Sequence, residues 1–589
     1  MAAISALSTF RRAVSVATYL SGLAVATYDK HENSKSKVST ALTLDPAPGN
    51  SAGPVLPEAF VSYAFEFSSF PDFAGNSTSG PNLFSDNLLN NIGNITGTKP
   101  YIRVGGNTHN PESNPTGSIQ DRRHFLTKFQ PRDYAVYDPT LPVSLIGIID
   151  PQRQPNYPTN VTVGPSFFES YTTWPGCRYV HGFNLARSNG TYGDVDLLGP
   201  VEPACRALSN DNLLYWEIGN EVDVYAQGRF AMRAPGWDEA GFTHEWLNAS
   251  RRVRARMDEA CPDLATGEKF KFWLPSYGDP SNGFDTIRPW ELGIDEDGVV
   301  AEASGHFYMS GFGLPGITLQ GTLLNHSNIV RRAADSVNVS AILRRDYNLS
   351  YAITEANSLF NAGQPDVSNV FGGALWTLDF NLWCAASGIA RVHMQQGLNF
   401  RYASWQPRDT DRAPRQTKPS YYGDVAVASA LGNLKEGRVR VANLPMEGET
   451  SAAYATYVDG VLKRVVLINM QTYNYSTAAD GVTRPGRVYS FGVPEGCGGE
   501  ANAVTVERLI ANGSNVLSGV TFNGISYNVE LDEGRPVVQD NVTRDESLGI
   551  EEDGIVNVVV PDASAAIVQL GCTGASAGTK DAYKRWMWF

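Results

Sequence analysis

Residues 213–222, with the sequence Leu-Leu-Tyr-Trp-Glu-Ile-Gly-Asn-Glu-Val, form an apolar run that ends abruptly in Gly-Asn-Glu. A near-continuous apolar run is typical of a strand buried in a parallel sheet, and barrel enzymes keep their chemistry at the carboxyl ends of such strands. A second run of this form, residues 351–357 with the sequence Tyr-Ala-Ile-Thr-Glu-Ala-Asn, places Glu355 in a similar position. The two runs predict that Glu221 and Glu355 converge from distant parts of the chain.

Further short runs complete the pattern of an eight-stranded barrel. They cover residues 60–67, 101–107, 143–150, 271–275, 305–308 and 391–394, so the Glu221 run is the fourth and the Glu355 run the seventh. Apolar residues at helical spacing lie between them, for example over residues 243–260 and 372–386. Strands that alternate with helices indicate a parallel sheet, and eight such units indicate closure. We therefore predict an α/β fold with a (β/α)8 TIM barrel over residues 58–407.

After residue 407 the pattern changes to short runs separated by Gly and Asn turns. The runs cover residues 452–458, 463–469, 504–510 and 555–560. Such spacing is typical of an antiparallel β-sandwich, which we predict over residues 408–575. The tail, residues 576–589, follows the last strand that the sequence indicates.

The N-terminus has the order of a secretory signal peptide. Arg11 and Arg12 precede an apolar run that ends in small residues, and we assign residues 1–26 to the signal. The run is short for a bilayer span, so a secreted, extracellular protein is expected and a single-pass anchor is the alternative. Acceptor motifs for N-glycosylation agree with secretion. They lie at Asn76, Asn94, Asn160, Asn189, Asn248, Asn325, Asn338, Asn348, Asn474, Asn512 and Asn541.

The net charge limits the possible binding partners, and the cysteine content indicates how the core is stabilised. The formal net charge of −14 argues against nucleic acid as a partner, and an acidic substrate would need a local device to offset the repulsion. With only six cysteines in the chain, the core must depend mainly on burial. Cys497 with Cys572 is the favoured bridge because both lie in the C-terminal β segment. Cys177 with Cys205 is plausible, and Cys384, in an apolar helix, is predicted to be an inert buried thiol.

A converging pair of carboxyl groups has a definite chemical use. In retaining glycosidases one carboxylic acid protonates the leaving oxygen and one carboxylate attacks the anomeric carbon, about 5–5.5 Å away. For either glutamate alone, a loop cap or an ion pair is the alternative. Glu217 lies on the same strand face as Glu221 but nearer the barrel floor, and we interpret it as a structural carboxylate. His306 is interpreted as a structural histidine, and neither a metal nor a cofactor is expected.

The segment Trp216-Glu-Ile-Gly-Asn-Glu221, with Glu355 on a later strand, resembles the retaining (β/α)8 glycoside hydrolases of clan A. It is similar in particular to the heparanase-like family 79, which includes fungal β-glucuronidases, and the similarity runs from about Leu56 to Cys572. The resemblance implies that Glu221 is the general acid/base and Glu355 the nucleophile. It also implies that Asn220 binds the sugar 2-hydroxyl.

The same resemblance implies further contacts around the sugar. Tyr308 would hydrogen-bond the nucleophile, with a core aromatic as the alternative, and Glu66 would hold sugar hydroxyls. The remaining substrate-binding residues that it implies are Gly106, Asn107, Asn361 and Tyr402. In the family an N-terminal strand joins the sandwich, so the segment 27–57 is expected to pair there through residues 38–44.

Two departures from the family pattern concern the sugar. Phe360 stands where members often have a tyrosine, and residues 392–395, Val-His-Met-Gln, differ from the usual last strand. The expected function is a secreted retaining β-glycosidase that hydrolyses β-glucuronides, or 4-O-methyl-glucuronides, from uronic-acid-bearing oligo- or polysaccharides. The alternatives are a clan relative acting on a neutral β-glycoside, a non-catalytic carbohydrate-binding protein, and a structural glycoprotein without a cleft between the glutamates.

Overall fold

A computed structural model describes residues 39–106, 135–149, 155–158, 160–186, 193–226, 232–475, 483–499 and 501–572. The predicted signal peptide, Asn107 and the tail 576–589 lie outside these ranges. None of the helices within them combines the length and the apolar character that a membrane crossing requires.

Eight parallel strands form a closed barrel in which each strand pairs with its neighbours in chain order. We number them as barrel strands one to eight: Val61–Glu66, Ile102–Gly105, Tyr179–Phe183, Leu213–Ile218, Phe272–Tyr277, Val300–Gly311, Tyr351–Phe360 and Val392–Gln396. Strand eight pairs with strand one, with Met394 opposite Tyr63, and this pairing closes the ring. The predicted TIM barrel is confirmed, with Glu221 just after strand four and Glu355 in strand seven.

The prediction of strand three over residues 143–150 is wrong. The third barrel strand is Tyr179–Phe183, which lies between strands two and four. Leu145–Ile148 instead pairs with Asn160–Val163 in a separate small sheet that also contains Val136–Tyr137. Ile148 is 58% exposed, so this apolar run is not a buried strand. The true third strand reads Tyr-Val-His-Gly-Phe, and its histidine and glycine weaken the apolar signal.

Helices follow most of the barrel strands. Their bounds are Phe70–Ala74, Leu83–Thr96, Gly193–Leu198, Val201–Ala207, Glu239–Ala260, Arg288–Glu291, His326–Tyr347, Phe371–Ser387 and Pro419–Leu431. Both helices predicted from apolar spacing are confirmed. The first begins four residues earlier than predicted because the Asp238 side chain accepts from the backbone N–H groups of Ala240 and Gly241 and caps it.

Two disulfides lie in the described part of the chain. Cys497–Cys572 is confirmed. The pairing of Cys177 with Cys205 is wrong, because Cys205 bonds to Cys261 and so links two neighbouring helices. Cys177 and Cys384 are buried and unpaired, and burial raises the pKa of the Cys177 thiol to about 12. Neither thiol is therefore poised to react.

The C-terminal β domain consists of two facing sheets. The larger sheet contains Val439–Leu444, Ser451–Val458, Val461–Asn469, Ala503–Ile510, Thr521–Phe522, Ile525–Ser526, Val537–Val538, Glu546–Gly549 and Ser564–Gln569, all in antiparallel pairs. The smaller contains Ser39–Leu42, Gly486–Gly492 and Ile555–Pro561, and Ser39–Leu42 joins it in parallel. Side chains of both sheets, such as Val465 and Val558, form one apolar core. The predicted sandwich is therefore confirmed.

The larger sheet also packs against the barrel. Two buried helices, Phe371–Ser387 and Pro419–Leu431, lie between the strands of the two domains. At this contact the Tyr454 hydroxyl donates to the Asp379 carboxylate at 2.5 Å, and His326 Nδ1 lies 3.0 Å from the same carboxylate. Asp379 is fully buried, so its charge depends on these two partners.

We expect Asp379→Asn to destabilise the protein more at about pH 5 than at about pH 9. Burial would lower the pKa of His326, but Asp379 overcomes this and raises it. Such a pair stabilises the fold below the unfolded pKa of histidine and loses this contribution as pH rises through the folded pKa. Denaturant unfolding should give a loss of about 3 kcal/mol at the lower pH. Asp346→Asn, at an exposed pair with Arg345, is the control. Equal losses at both pH values would contradict the assignment.

Candidate active site

Glu221, just after strand four, and Glu355, within strand seven, lie close together. One carboxylate oxygen of each residue and one ring nitrogen of His306 lie within 4.8 Å of one another. The Glu221 side chain is 16% exposed, whereas that of Glu355 is 8% exposed. Glu221 has φ +50°, a left-handed conformation that costs energy in a residue other than glycine. The turn after strand four therefore holds this carboxylate at the mouth of the barrel at an energetic cost.

Arg103, in strand two, joins the two strands that carry the glutamates. Its guanidinium is fully buried and binds Glu217 through Nε at 2.9 Å and Glu355 through Nη1 at 2.7 Å. Nη2 donates to the Asn220 Oδ1 at 2.5 Å. One planar cation thus fixes side chains from strands four and seven in a single geometry.

Glu355 lies where its charged form is stabilised. Burial alone would raise the pKa of this carboxyl, but the electrostatic interactions with His306 and Arg103 and the hydrogen bonds from Tyr308 and Arg103 lower it below the ordinary value. The Tyr308 hydroxyl donates to Glu355 Oε1 at 2.8 Å. The implied contact of Tyr308 with this glutamate is therefore present, and Glu355 is ionised at neutral pH.

His306 contacts Glu221, so its interpretation as a merely structural histidine was incomplete. Its Nδ1 lies 3.0 Å from Glu221 Oε1, while its Nε2 is buried without a hydrogen-bond partner among the described residues. With Glu221 and Glu355, His306 also forms a donor set that could hold a metal ion. A cation there would lie against the Arg103 guanidinium, which already neutralises Glu355, so the residues fit proton transfer better than metal binding.

Asn220 and Glu66 are two further polar side chains near Glu355, the first through Arg103 and the second through its electrostatic interaction with Glu355. Because Arg103 occupies its Oδ1, the Asn220 amide is oriented, and its Nδ2 is a buried donor without a partner in the described chain. Burial, together with the charge of Glu355, raises the pKa of Glu66 well above its usual range. Gly106 packs against Glu66, and a Cβ there would lie 2.9 Å from Glu66 Oε2. A cavity of about 70 Å³ adjoins Asn220 and Gly106.

Aromatic side chains form the opposite wall. Tyr402 and Tyr308 have ring centroids 6.3 Å apart, and Phe360 meets Tyr308 edge to face at 6.3 Å. Asn361 follows Phe360 with φ +65°, and its Oδ1 is buried without a partner within the described ranges. Of the sequence-predicted residues, Tyr308 bonds Glu355, and Tyr402 and Glu66 lie close enough for its charge to act on them. Asn107 lies outside the described residues.

Glu217 and Arg103 are two buried charged residues, and the sequence analysis identified the role of only the first. Glu217 is a structural carboxylate as predicted, since it binds Arg103 and accepts from the Ser276 hydroxyl at 2.5 Å. Arg103 was missed as a site residue. Its signal was present, because a charged residue in the middle of the apolar run 101–105 must have a buried partner.

A closed (β/α)8 barrel with two close carboxyl groups, one just after strand four and one in strand seven, defines a glycoside hydrolase. Comparison with known proteins agrees. Residues 453–567 match the glycosyl hydrolase family 79 C-terminal beta domain. A β-glucuronidase of Aspergillus niger is 42% identical over 549 residues, which cover 92% of this chain and 95% of the relative. A β-glucuronidase of Neurospora crassa is 41% identical, with 89% of this chain and 95% of the relative covered. The chain belongs to glycosyl hydrolase family 79.

A solved structure supports the fold. The crystal structure of a 4-O-α-L-rhamnosyl-β-D-glucuronidase from Fusarium oxysporum superposes with a TM-score of 0.68 at 20% identity. The match covers 90% of this chain and 100% of that one. Barrel and sandwich are therefore a shared arrangement.

We expect Arg103→Met to lower kcat on an aryl glycoside by at least about 10²-fold, because the orientation of Glu355 and Asn220 would be lost. It should also lower the free energy of unfolding by about 3–5 kcal/mol, since Glu217 and Glu355 would remain buried without their cation. Arg391→Met is the matched control. Arg391 is also a buried arginine, and it pairs with Glu302 at the amino ends of the strands, far along the barrel from the site. A similar kcat loss in both variants would contradict the positioning role of Arg103.

Proposed function

We propose that this protein is a secreted retaining β-glucuronidase in which Glu355 is the nucleophile and Glu221 the acid/base. The observation that carries the proposal is the short separation of these two carboxylates, since one oxygen of Glu221 lies within 4.8 Å of one oxygen of Glu355. Inverting enzymes keep their carboxyl groups about 6.5–9.5 Å apart to leave room for a water, whereas retaining enzymes need about 5–5.5 Å. The short separation supports a double displacement.

In the first step Glu355 attacks the anomeric carbon while Glu221 gives its proton to the leaving oxygen. The bond to the aglycone breaks, and a covalent glycosyl–Glu355 ester forms. Arg103 and Tyr308 favour the ionised form of Glu355, as a nucleophile requires. His306, with Nδ1 on Glu221, is placed to influence the proton that Glu221 carries.

In the second step water attacks the same carbon from the face that the aglycone left. Glu221, now ionised, takes a proton from this water, and the carbon–oxygen bond to Glu355 breaks. Glu355 leaves as a carboxylate, which Arg103 and Tyr308 stabilise through their hydrogen bonds. Two inversions restore the original configuration at the anomeric carbon.

Hydroxyl groups of the sugar find partners on the Asn220 side of the site. The unpartnered Nδ2 of Asn220 is a suitable donor for the 2-hydroxyl, a contact that strengthens in the oxocarbenium-like transition state. Glu66, whose raised pKa favours the protonated acid, can donate to or accept from a further hydroxyl beside Gly106. Asn107 stays a prediction.

The uronate is proposed because two relatives more than 40% identical bear the name β-glucuronidase. Its carboxylate would lie at the aromatic wall, against Tyr402 and the Asn361 segment. Phe360 in this wall offers no hydroxyl, and that favours the second candidate, a neutral β-glycoside. A 4-O-methyl group on the uronate is compatible with the same proposal.

We also propose that the protein is secreted and N-glycosylated. Two disulfides fit an oxidising compartment. Most acceptor asparagines have exposed side chains: Asn94, Asn248, Asn338, Asn348, Asn474, Asn512 and Asn541. Asn325 is a poor acceptor by contrast, because its side chain caps a helix and donates to Glu449 at 2.9 Å.

The sugar is tested with p-nitrophenyl β-D-glucuronide, β-D-glucoside and β-D-xyloside. We expect turnover of the glucuronide to dominate and Glu355→Gln to abolish it, by at least about 10⁴-fold in kcat. Glu291→Gln, an exposed glutamate paired with Arg288, is the control and should keep full activity. Turnover of a neutral sugar alone would remove the uronate from the proposal, and binding without any turnover would remove the enzyme mechanism.

The acid limb of the pH profile tests the role of Tyr308. In Tyr308→Phe the anion of Glu355 loses one hydrogen bond, so its pKa should rise and the acid limb of kcat/KM should move to higher pH. A shift of about 0.5 to 1 unit is expected for one hydrogen bond to a charged group. Tyr454→Phe, at the contact between barrel and sandwich, is the control. An unchanged limb would contradict ionisation of Glu355 as the controlling step.

A further inference from the structure

A uronate adds a second negative charge beside Glu355, which is held as a carboxylate, in a chain whose net charge is already −14. The guanidinium of Arg103 is already bound to Glu217, Glu355 and Asn220. A uronate carboxylate therefore needs another source of positive charge near the aromatic wall.

Lys418 is a buried cation behind this wall. Its Nζ donates to the Phe400 carbonyl at 2.6 Å, and its backbone N–H donates to the Ser404 carbonyl at 2.9 Å. Both acceptors belong to the segment 397–404, which we call the 400 loop and which carries Tyr402. Tyr402, Phe400 and Tyr308 pack in one apolar cluster. The ammonium thus contacts the backbone two residues from the tyrosine that faces the nucleophile side of the site.

The position of Lys418 is unfavourable for stability. The residue is 8% exposed, and it precedes the first residue of the helix Pro419–Leu431, where the helix dipole disfavours a positive charge. Among the described residues no carboxylate lies within ion-pair distance of the ammonium, and the charge that acts on it most is that of Arg401. Burial and Arg401 lower the pKa of Lys418 to about 7. Groups that are buried at such a cost are concentrated at functional sites.

The 400 loop is in turn fastened to the loop that follows the nucleophile strand. The Arg401 backbone N–H donates to the Ala362 carbonyl at 2.7 Å, and its Nη1 donates to the Gly363 carbonyl at 3.1 Å. The guanidinium lies 5.3 Å from the centre of the Phe312 ring. Two cations therefore flank the backbone that joins Tyr402 to the Asn361 segment.

We propose that Lys418 is a specificity-determining positioning residue whose ammonium favours a uronate carboxylate over a neutral hydroxymethyl group at Tyr402. It acts through the 400 loop and its electric field, and not by touching the substrate. The inference rests on the proposed glucuronidase function. The Lys418 ammonium supplies the local positive charge that a protein with a net negative charge needs in order to bind an acidic sugar.

The test is the ratio of kcat/KM for p-nitrophenyl β-D-glucuronide to that for the β-D-glucoside. Lys418→Met should lower this ratio about tenfold, because the uronate carboxylate would lose its attraction to a unit positive charge several ångströms away. Turnover of the uncharged glucoside should stay within about twofold of the wild-type value. Lys418→Arg should keep most of the ratio. Lys271→Met is the matched control, since Lys271 also donates to a backbone carbonyl, that of Gly298, but at the opposite end of the barrel. Equal loss on both sugars would overturn the proposal in favour of a loop anchor.

The pH dependence of the wild-type ratio gives a readout that does not depend on folding of a variant. Both substrates use the same glutamates, so their common titrations cancel in the ratio. The ratio should fall as pH rises through about 7, where Lys418 loses its charge. Asp424, bound to the Ser404 hydroxyl at 2.7 Å, has a pKa raised by burial to about 7 and would change the ratio in the same direction.

The Lys418→Met variant distinguishes the effect of Lys418 on the ratio from that of Asp424. A flat ratio in this variant assigns the wild-type slope to Lys418, whereas an undiminished slope assigns it to Asp424 and overturns the proposal. A wild-type ratio that does not change with pH overturns it as well. Absence of glucuronide turnover in the wild type with preserved glucoside turnover would identify failure of the proposed function instead.

Discussion

The buried guanidinium of Arg103 is the interaction on which the site depends. Carboxylates can be removed from water only when a cation and hydrogen bonds compensate them, and Arg103 compensates Glu217 and Glu355 together. Because its third nitrogen orients Asn220, one residue of strand two fixes groups on strands four and seven. The position of Glu355 relative to strand four therefore follows from barrel closure and from this one fork of hydrogen bonds.

Glu221 and Glu355 carry the same carboxyl group, but their surroundings differ. Glu355 is enclosed by Arg103, Tyr308 and His306, and its interactions with these residues favour its ionised form. Glu221 lies closer to solvent on a strained turn and contacts His306. A double displacement requires this asymmetry, since one group must hold a negative charge while the other exchanges a proton.

The β domain contributes to the site although none of the candidate catalytic residues lies in it. Thr417, next to Lys418, donates to the Tyr527 carbonyl at 2.7 Å, and Tyr422 in the following helix contacts Ser526 and Asn528 of the same domain. The helix Pro419–Leu431 is buried between the two domains. The backbone behind the 400 loop is thus supported from the sandwich, which gives a physical reason for the two domains to occur as one unit.

The sequence by itself determined the barrel, the sandwich and the two glutamates of strands four and seven, because these depend on local patterns of apolar residues and turns. It also indicated that Glu217 is structural, since a carboxylate deep in a buried strand must be paired. The third strand, the Cys205–Cys261 bridge, and the contacts of Arg103 and His306 were decided only in the tertiary structure. An exposed apolar run such as Leu145–Ile148 has the same sequence pattern as a buried strand. Arg103 lies more than a hundred positions from Glu217 and Glu355 and contacts them only when the ring of strands closes.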